Sequence, residues 1–207
     1  MICDIITQSA PVAVSIAGKM HPINWDFRAG IEFDAIRDSD MPEERKFEKM
    51  LKLYYGDLSD LGNILEAVER LKWFYRCGEP DEEENEDKKA KRYVRKTSKE
   101  PAYSLSQDTA YIYAAFLDQY GIDLATVRDL HWWKFMALFE SLNEDTKMSK
   151  IMYYRKASVS GMDRERRAFI NEMKKLYRIR RGKSEKMTLE QRNERWKKYV
   201  RERLSGK

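Results

Sequence analysis

Apolar positions along most of this chain recur at intervals of three and four, the spacing that turns one face of an α-helix toward a core. The exception lies near the start. Over residues 11–24, Val12, Val14 and Ile16 alternate with small residues, Ala17-Gly18-Lys19 reads as a turn, and Met20 to Ile23 returns, which predicts a small β-hairpin. Pro22 limits the returning strand to an edge. From Asn24, a candidate N-cap, Phe27, Ile31 and Ile36 fall at helical spacing. Asp40 offers a cap for the next helix, with Pro42 tolerated in its first turn; Phe47, Leu51, Tyr54 and Tyr55 form its stripe and Gly56 stops it. A third helix turns Leu61, Ile64, Leu65, Val68, Leu71 and Phe74 inward and ends at Gly78.

Helical spacing resumes after Ser104-Leu105-Ser106-Gln107, which has the spacing of a capping box. Tyr111, Ile112, Ala115, Phe116 and Tyr120 share a face closed by Gly121. The most aromatic stretch follows, Leu130-His131-Trp132-Trp133-Lys134-Phe135, continuing through Leu138, Phe139 and Leu142. After Asn143-Glu144-Asp145, a helix with Met148, Ile151, Met152 and Tyr154 runs toward Gly161. Two further helices are predicted beyond it. One spans about 162–181, with Phe169, Ile170, Met173, Leu176 and Tyr177 on one face. The other opens on Thr188-Leu189-Glu190-Gln191 and presents Leu189, Trp196, Tyr199, Val200 and Leu204.

The pattern therefore predicts a mainly α protein: a compact multi-helix domain with a small N-terminal β-hairpin and a basic C-terminal helical extension. Charge sharpens this division. Residues 163–207 hold 17 Lys or Arg and 7 Asp or Glu, a net of +10, so the whole-chain +5 leaves the preceding part at −5. Residues 79–87 carry seven acids and no base, and 88–99 seven bases and no acid. Blocks of like charge repel and do not pack into a core, which predicts an exposed, mobile insertion at about 79–100. The expected organisation is a core domain over 1–160 that closes on itself, followed by a basic amphipathic tail over 161–207.

Candidate chemistry is sparse. There is no Gly-rich phosphate loop, no Gly-x-Ser-x-Gly elbow and no His-Glu-x-x-His. Two His and two Cys, each isolated, do not supply a metal-ligand cluster. His131 beside two tryptophans reads as a hydrogen-bonded structural residue rather than a general base. The expectation is a non-enzyme with no cofactor and no metal. No apolar run reaches the roughly 20 residues of a membrane span. The acidic start and the two isolated cysteines point to a reducing cytoplasm rather than a secretory route.

The order of segments resembles a family of tailed-bacteriophage proteins, the "gene product fifteen" family. The resemblance covers about 12–157. It is carried by Val14-Ser15-Ile16-Ala17-Gly18-Lys19-Met20-His21-Pro22-Ile23-Asn24 with Asp26-Phe27-Arg28, and by Asp108 with Tyr111-Ile112-Tyr113-Ala114-Ala115-Phe116. Tyr120-Gly121-Ile122-Asp123-Leu124 and Leu130-His131-Trp132-Trp133-Lys134-Phe135, then Leu138, Leu142 and Arg155, complete it. The resemblance implies a tail assembly chaperone, encoded in siphophages between the major tail-tube and tape-measure genes. Such a protein holds the tape-measure protein soluble in the infected host's cytoplasm until the tube polymerises, and is absent from the mature virion. The major tail-tube protein, a companion chaperone and a second copy of the chain are further partners it implies.

On this reading Asp26, Phe27, Arg28, Tyr120, Gly121, His131, Trp132, Phe135 and Arg155 are structural motif positions. Trp133, Lys134, Trp196, Tyr199 and Val200 are the expected partner-binding residues. Adjacent tryptophans point about 100° apart on a helix, so Trp132 and Phe135 are assigned to the core and Trp133 to a groove, with burial of all three as the alternative. Two rival readings stand beside the chaperone: a structural component resident in the virion tail, and non-specific nucleic-acid binding through the basic tail.

Overall fold

Two residues at the hairpin turn, Ala17 and Gly18, both have positive φ, 50° and 77°. This is the backbone that two-residue hairpins favour, because its twist matches that of the flanking strands. It sets the register of β1 (Ala13–Ile16) against β2 (Lys19–Pro22), antiparallel from Ala13 opposite Pro22 to Ile16 opposite Lys19. Val14 and Ile16 point inward, as do His21 and Ile23 on the return.

The computed structural model describes residues 5–7, 9–79 and 101–180, with Glu194 and Lys198 beyond them. The protein is mainly helical, with seven helices among the described residues and the N-terminal hairpin. The described residues gather into two compact units: one holds those up to 79 together with Asp129–Met136, the other holds 101–128 and Ala137–Arg180.

In the first unit, α1 (Phe27–Asp38) is capped by Asp26, whose Oδ1 accepts the Arg28 N–H at 2.8 Å. The helix α2 (Glu43–Tyr55) starts after Pro42 with no side-chain cap, so Asp40 does not play the part expected of it; Glu43 and Glu44 instead place negative charge in the first turn. Asn63 caps α3 (Ile64–Tyr75), accepting from the Glu66 N–H. α1 packs on α2, α2 on α3, and α3 on β1. The Ala17 N–H donates to Glu66 Oε2 at 2.8 Å and Arg70 Nε donates to the Ser15 carbonyl at 3.2 Å, tying the hairpin to α3. Leu51, Tyr54, Leu61, Val68, Leu71 and Phe74 are buried as the stripes predicted, whereas Leu65 is exposed.

In the second unit, α4 (Thr109–Tyr120) ends at Gly121, which takes the left-handed conformation with φ 65°. It packs against α6 (Lys147–Lys156), which in turn packs against α7 (Arg164–Leu176). Thr146 and Asp163 cap these two, accepting from the Ser149 and Arg166 N–H groups. Between them in sequence, α5 (Trp132–Glu140) gives its first five residues to the first unit and its last four to the second.

The boundary expected at 160/161 does not separate the units, since α7 belongs to the second one. The reason is specific. Ile170 is 2% exposed, Arg155 Nε donates to the Tyr177 carbonyl at 2.7 Å, and the Tyr154 and Tyr177 rings stack. A chain ending near 157 would leave these groups without partners. The charged insertion, apart from Glu79, and most of the last predicted helix lie outside the described residues.

Candidate functional site

The last turn of any α-helix leaves carbonyls without intrahelical donors. In α3 two of these are taken by adjacent indoles. Trp132 Nε1 donates to the Tyr75 carbonyl at 2.9 Å and Trp133 Nε1 to the Phe74 carbonyl at 2.8 Å. Backbone pairing delivers the tryptophans to this place: the Phe27 N–H donates to Leu130 O and the Trp132 N–H to Trp25 O, joining 25–27 to 130–132. Trp132 then stacks on Tyr75 and Phe135, and Phe135 on Phe27, with centroids 5.2, 5.8 and 5.1 Å apart. Gly30 is what admits Trp132. A Cβ at that position would lie 2.2 Å from the indole ring, so no larger residue fits without displacing it.

Trp132 and Phe135 are core, at 1% and 0% exposure. Trp133, expected to line an accessible groove, is 2% exposed, and its ring meets Trp73 and Phe74. A satisfied indole N–H inside an aromatic cluster is an interior anchor, so Trp133 does not line an accessible groove in this fold.

His131 has both ring nitrogens engaged. Nδ1 accepts the Trp133 N–H at 3.0 Å, which caps the start of α5, and Nε2 lies 3.0 Å from the Pro11 carbonyl. Accepting at one nitrogen and donating at the other fixes the neutral Nε2–H tautomer. Burial pushes its pKa below the ordinary value, against the opposing pull of the Pro11 carbonyl. The ring also stacks with Trp25 and meets Phe74 edge-on. Both ring nitrogens are thus held by backbone groups in this fold.

Lys134, on the outer side of the same turn, is exposed. With Ile6, Val12, Trp25, Asp129 and His131 it lines an open pocket of about 350 Å³. Asp26 and Arg28 pair at 3.2 Å beside it in sequence, and the Arg28 guanidinium lies 4.5 Å from the Phe27 ring centre.

The second unit is centred on a buried ion pair. Arg155 makes a bidentate contact with Asp108 at 2.6 and 2.9 Å, and both side chains are at least 95% buried. Arg155 also donates to the Ala102 carbonyl, and Asp108 Oδ2 accepts the Ser104 N–H at 3.0 Å. The predicted capping box is therefore rearranged. Gln107 does not reach back to Ser104; its amide pairs in both directions with the Arg180 backbone, at 2.7 and 2.9 Å. Tyr120 donates to the Leu138 carbonyl at 2.8 Å. Asp108, a common residue type in a charged chain, could be given this role only once a partner for Arg155 was in view.

The surface that the sequence under-valued is α7. Phe169 and Leu176 were placed on one face with Ile170, yet they are 49% and 64% exposed. The expected contact residues Trp196, Tyr199 and Val200 lie outside the described residues; Glu194 and Lys198, on either side of Trp196, are helical and exposed.

Among the described residues no group of three or more His, Cys, Asp or Glu side chains is placed to hold a metal ion, and no helix is long and apolar enough to cross a membrane. No curated protein and no solved structure matches the chain. A family model described as "Bacteriophage Gp15 protein" matches residues 6–179. That span takes in the hairpin, the His131-Trp132-Trp133 anchor, the Asp108–Arg155 pair and the whole of α7, and the chain belongs to the bacteriophage Gp15 protein family.

Proposed function

We propose that this phage protein is a tail assembly chaperone that binds the tape-measure protein and keeps it soluble until the tail tube forms around it. The observation that carries the reading is α7, a helix in a phage-family protein whose apolar residues are mostly left uncovered by its own fold. A long helical client exposes apolar stripes with no core of its own, and an exposed helix face can cover such a stripe by side-by-side packing. On this reading the contact is displaced when tube subunits compete for the same stripe. The protein acts without catalysis on this reading, in the cytoplasm of the infected host. Its further partners are the major tail-tube protein and a companion chaperone.

A second reading, a structural protein that stays in the particle, is equally consistent with a bacteriophage family. Mass spectrometry of purified virions separates the two, the chaperone being absent and the building block present in fixed copy number. Co-expression with the tape-measure protein supplies the positive arm. The chaperone reading predicts a soluble complex that dissociates on adding the tail-tube protein, and an insoluble tape measure in both samples would contradict it.

A further inference from the structure

The helix α4 carries a single charged side chain, Asp118, among Thr109–Tyr120. Ile112, Ala115 and Phe116 are buried and define its inner side. At 100° per residue, Ala110, Ala114 and Leu117 fall within about 60° of one another on the opposite side, with Tyr113 along one edge and Asp118 along the other. All five are exposed, Leu117 at 45%. Two alanines one turn apart let a second helix approach to about 8 Å between axes. Tyr113 and Leu117 supply apolar surface beside them.

The charge along this face is the reverse of what its own helix favours. An acid stabilises the start of a helix and opposes its end, where a base is preferred. In α4 the first turn has no acid and no side-chain cap, because the Asp108 carboxylate is committed to Arg155 and the Ser104 N–H. The last turn has no base and holds Asp118 instead. Gln107 also fixes the backbone of the exposed Arg180 at the N-terminal end. A second α4 laid antiparallel, with Ala114 at the crossing, brings Asp118 level with the partner's Ala110, in the first turn that lacks an acid. Leu117 then falls between the partner's Ala110 and Ala114. A twofold axis repeats both contacts, so each copy supplies the charge that the other helix lacks. A nucleic acid finds no base on α4 to hold its phosphates.

We propose that the outer face of α4 joins two copies of this chain in an antiparallel, twofold pair; the inference does not depend on the chaperone reading. The face is smaller than the roughly 800 Å² per partner of a standard interface, so the pairing is weak. Sedimentation equilibrium of the full chain across the micromolar range should show the mass rising from 24.7 kDa toward twice that value. Ala114→Arg should abolish the rise with an unchanged circular dichroism spectrum. Asp118→Lys should weaken pairing about fivefold while leaving the monomer at least as stable, since a base suits the end of its own helix; it carries the test if Ala114→Arg misfolds. Oxidative cross-linking reads the register. Ala114→Cys should link into a dimer well above the background of the unsubstituted chain, because the two positions meet on the axis. Ala110→Cys, level with the partner's Asp118, should not. A wild-type chain that stays at the monomer mass overturns the proposal, and loss of tape-measure rescue by Ala114→Arg would then assign the face to the client. Pairing that survives both Ala114→Arg and Asp118→Lys places the contact elsewhere and also overturns it. Equal cross-linking from positions 110 and 114 overturns the antiparallel register.

Discussion

Two helices of this protein carry an apolar stripe and dispose of it in opposite ways. In α5, Trp132, Trp133, Phe135, Met136 and Phe139 are all buried; in α7, Ile170 alone is. Their charge content accounts for the difference. α5 has two charged residues in nine, Lys134 and Glu140, so nearly every side chain can leave water without stranding a charge. α7 has seven in thirteen, and desolvating more than one edge of it would bury ions that have no partner. Apolar spacing says that a helix has a face, and the charge beside that face says how much of it the fold can cover. The uncovered remainder is available to something else.

The comparison can be broken most strongly at the ion pair that anchors the second unit. Removing one partner of a buried pair leaves the other as an uncompensated charge, which costs about 3–5 kcal/mol. Arg155→Met should therefore lower stability by that amount in urea unfolding, and Asp108→Asn somewhat less, since the asparagine still accepts one hydrogen bond. A change below about 1 kcal/mol would mean that the pair does not hold α4 to α6.

Next in size is Gly30→Ala. The added methyl has no space beside the Trp132 ring, and overpacking of this kind costs about 1–3 kcal/mol. Near-ultraviolet circular dichroism should report the displaced indole. An unchanged spectrum with unchanged stability would show that Trp132 is not locked against α1.

The His131 linkage should be smaller and has a definite sign. Its pKa is depressed in the fold, so between that value and the ordinary one near 6.5 the unfolded chain binds more protons. Stability is then full above about pH 6.5 and falls as pH drops through the folded value, as protonation of Nδ1 opposes the Trp133 N–H. His131→Asn should flatten that part of the pH profile. A profile equally steep in the variant would place the titration elsewhere.

The smallest effect belongs to α7. Leu176→Asp should change stability by no more than about 0.5 kcal/mol, as for surface positions in general. A larger loss would show that the Leu176 side chain is already covered within the protein.

Much of the fold was legible. The hairpin register follows from the alternation of Val14 and Ile16 around Ala17-Gly18, and the buried faces of α2, α3 and α4 follow from helical spacing. Trp133 was misplaced because spacing separates two neighbouring tryptophans by angle, yet the Phe74 and Tyr75 carbonyls lie side by side at the end of α3 and both indoles donate to them. The expected break at 160/161 failed for a similar reason. A basic segment looks like an appendage until Arg155, Tyr154 and Ile170 are seen to hold it. Pairings distant in sequence, Asp108 with Arg155 and Gln107 with Arg180, leave no local signature.

Hydrogen–deuterium exchange of the full chain, alone and in complex with the tape-measure protein, measures the contrast between the two helices directly. The account predicts slowed exchange over residues 164–176 on binding, with exchange over 132–140 already slow and unchanged. Protection that appears over 132–140 while 164–176 exchanges as in the free protein would contradict it.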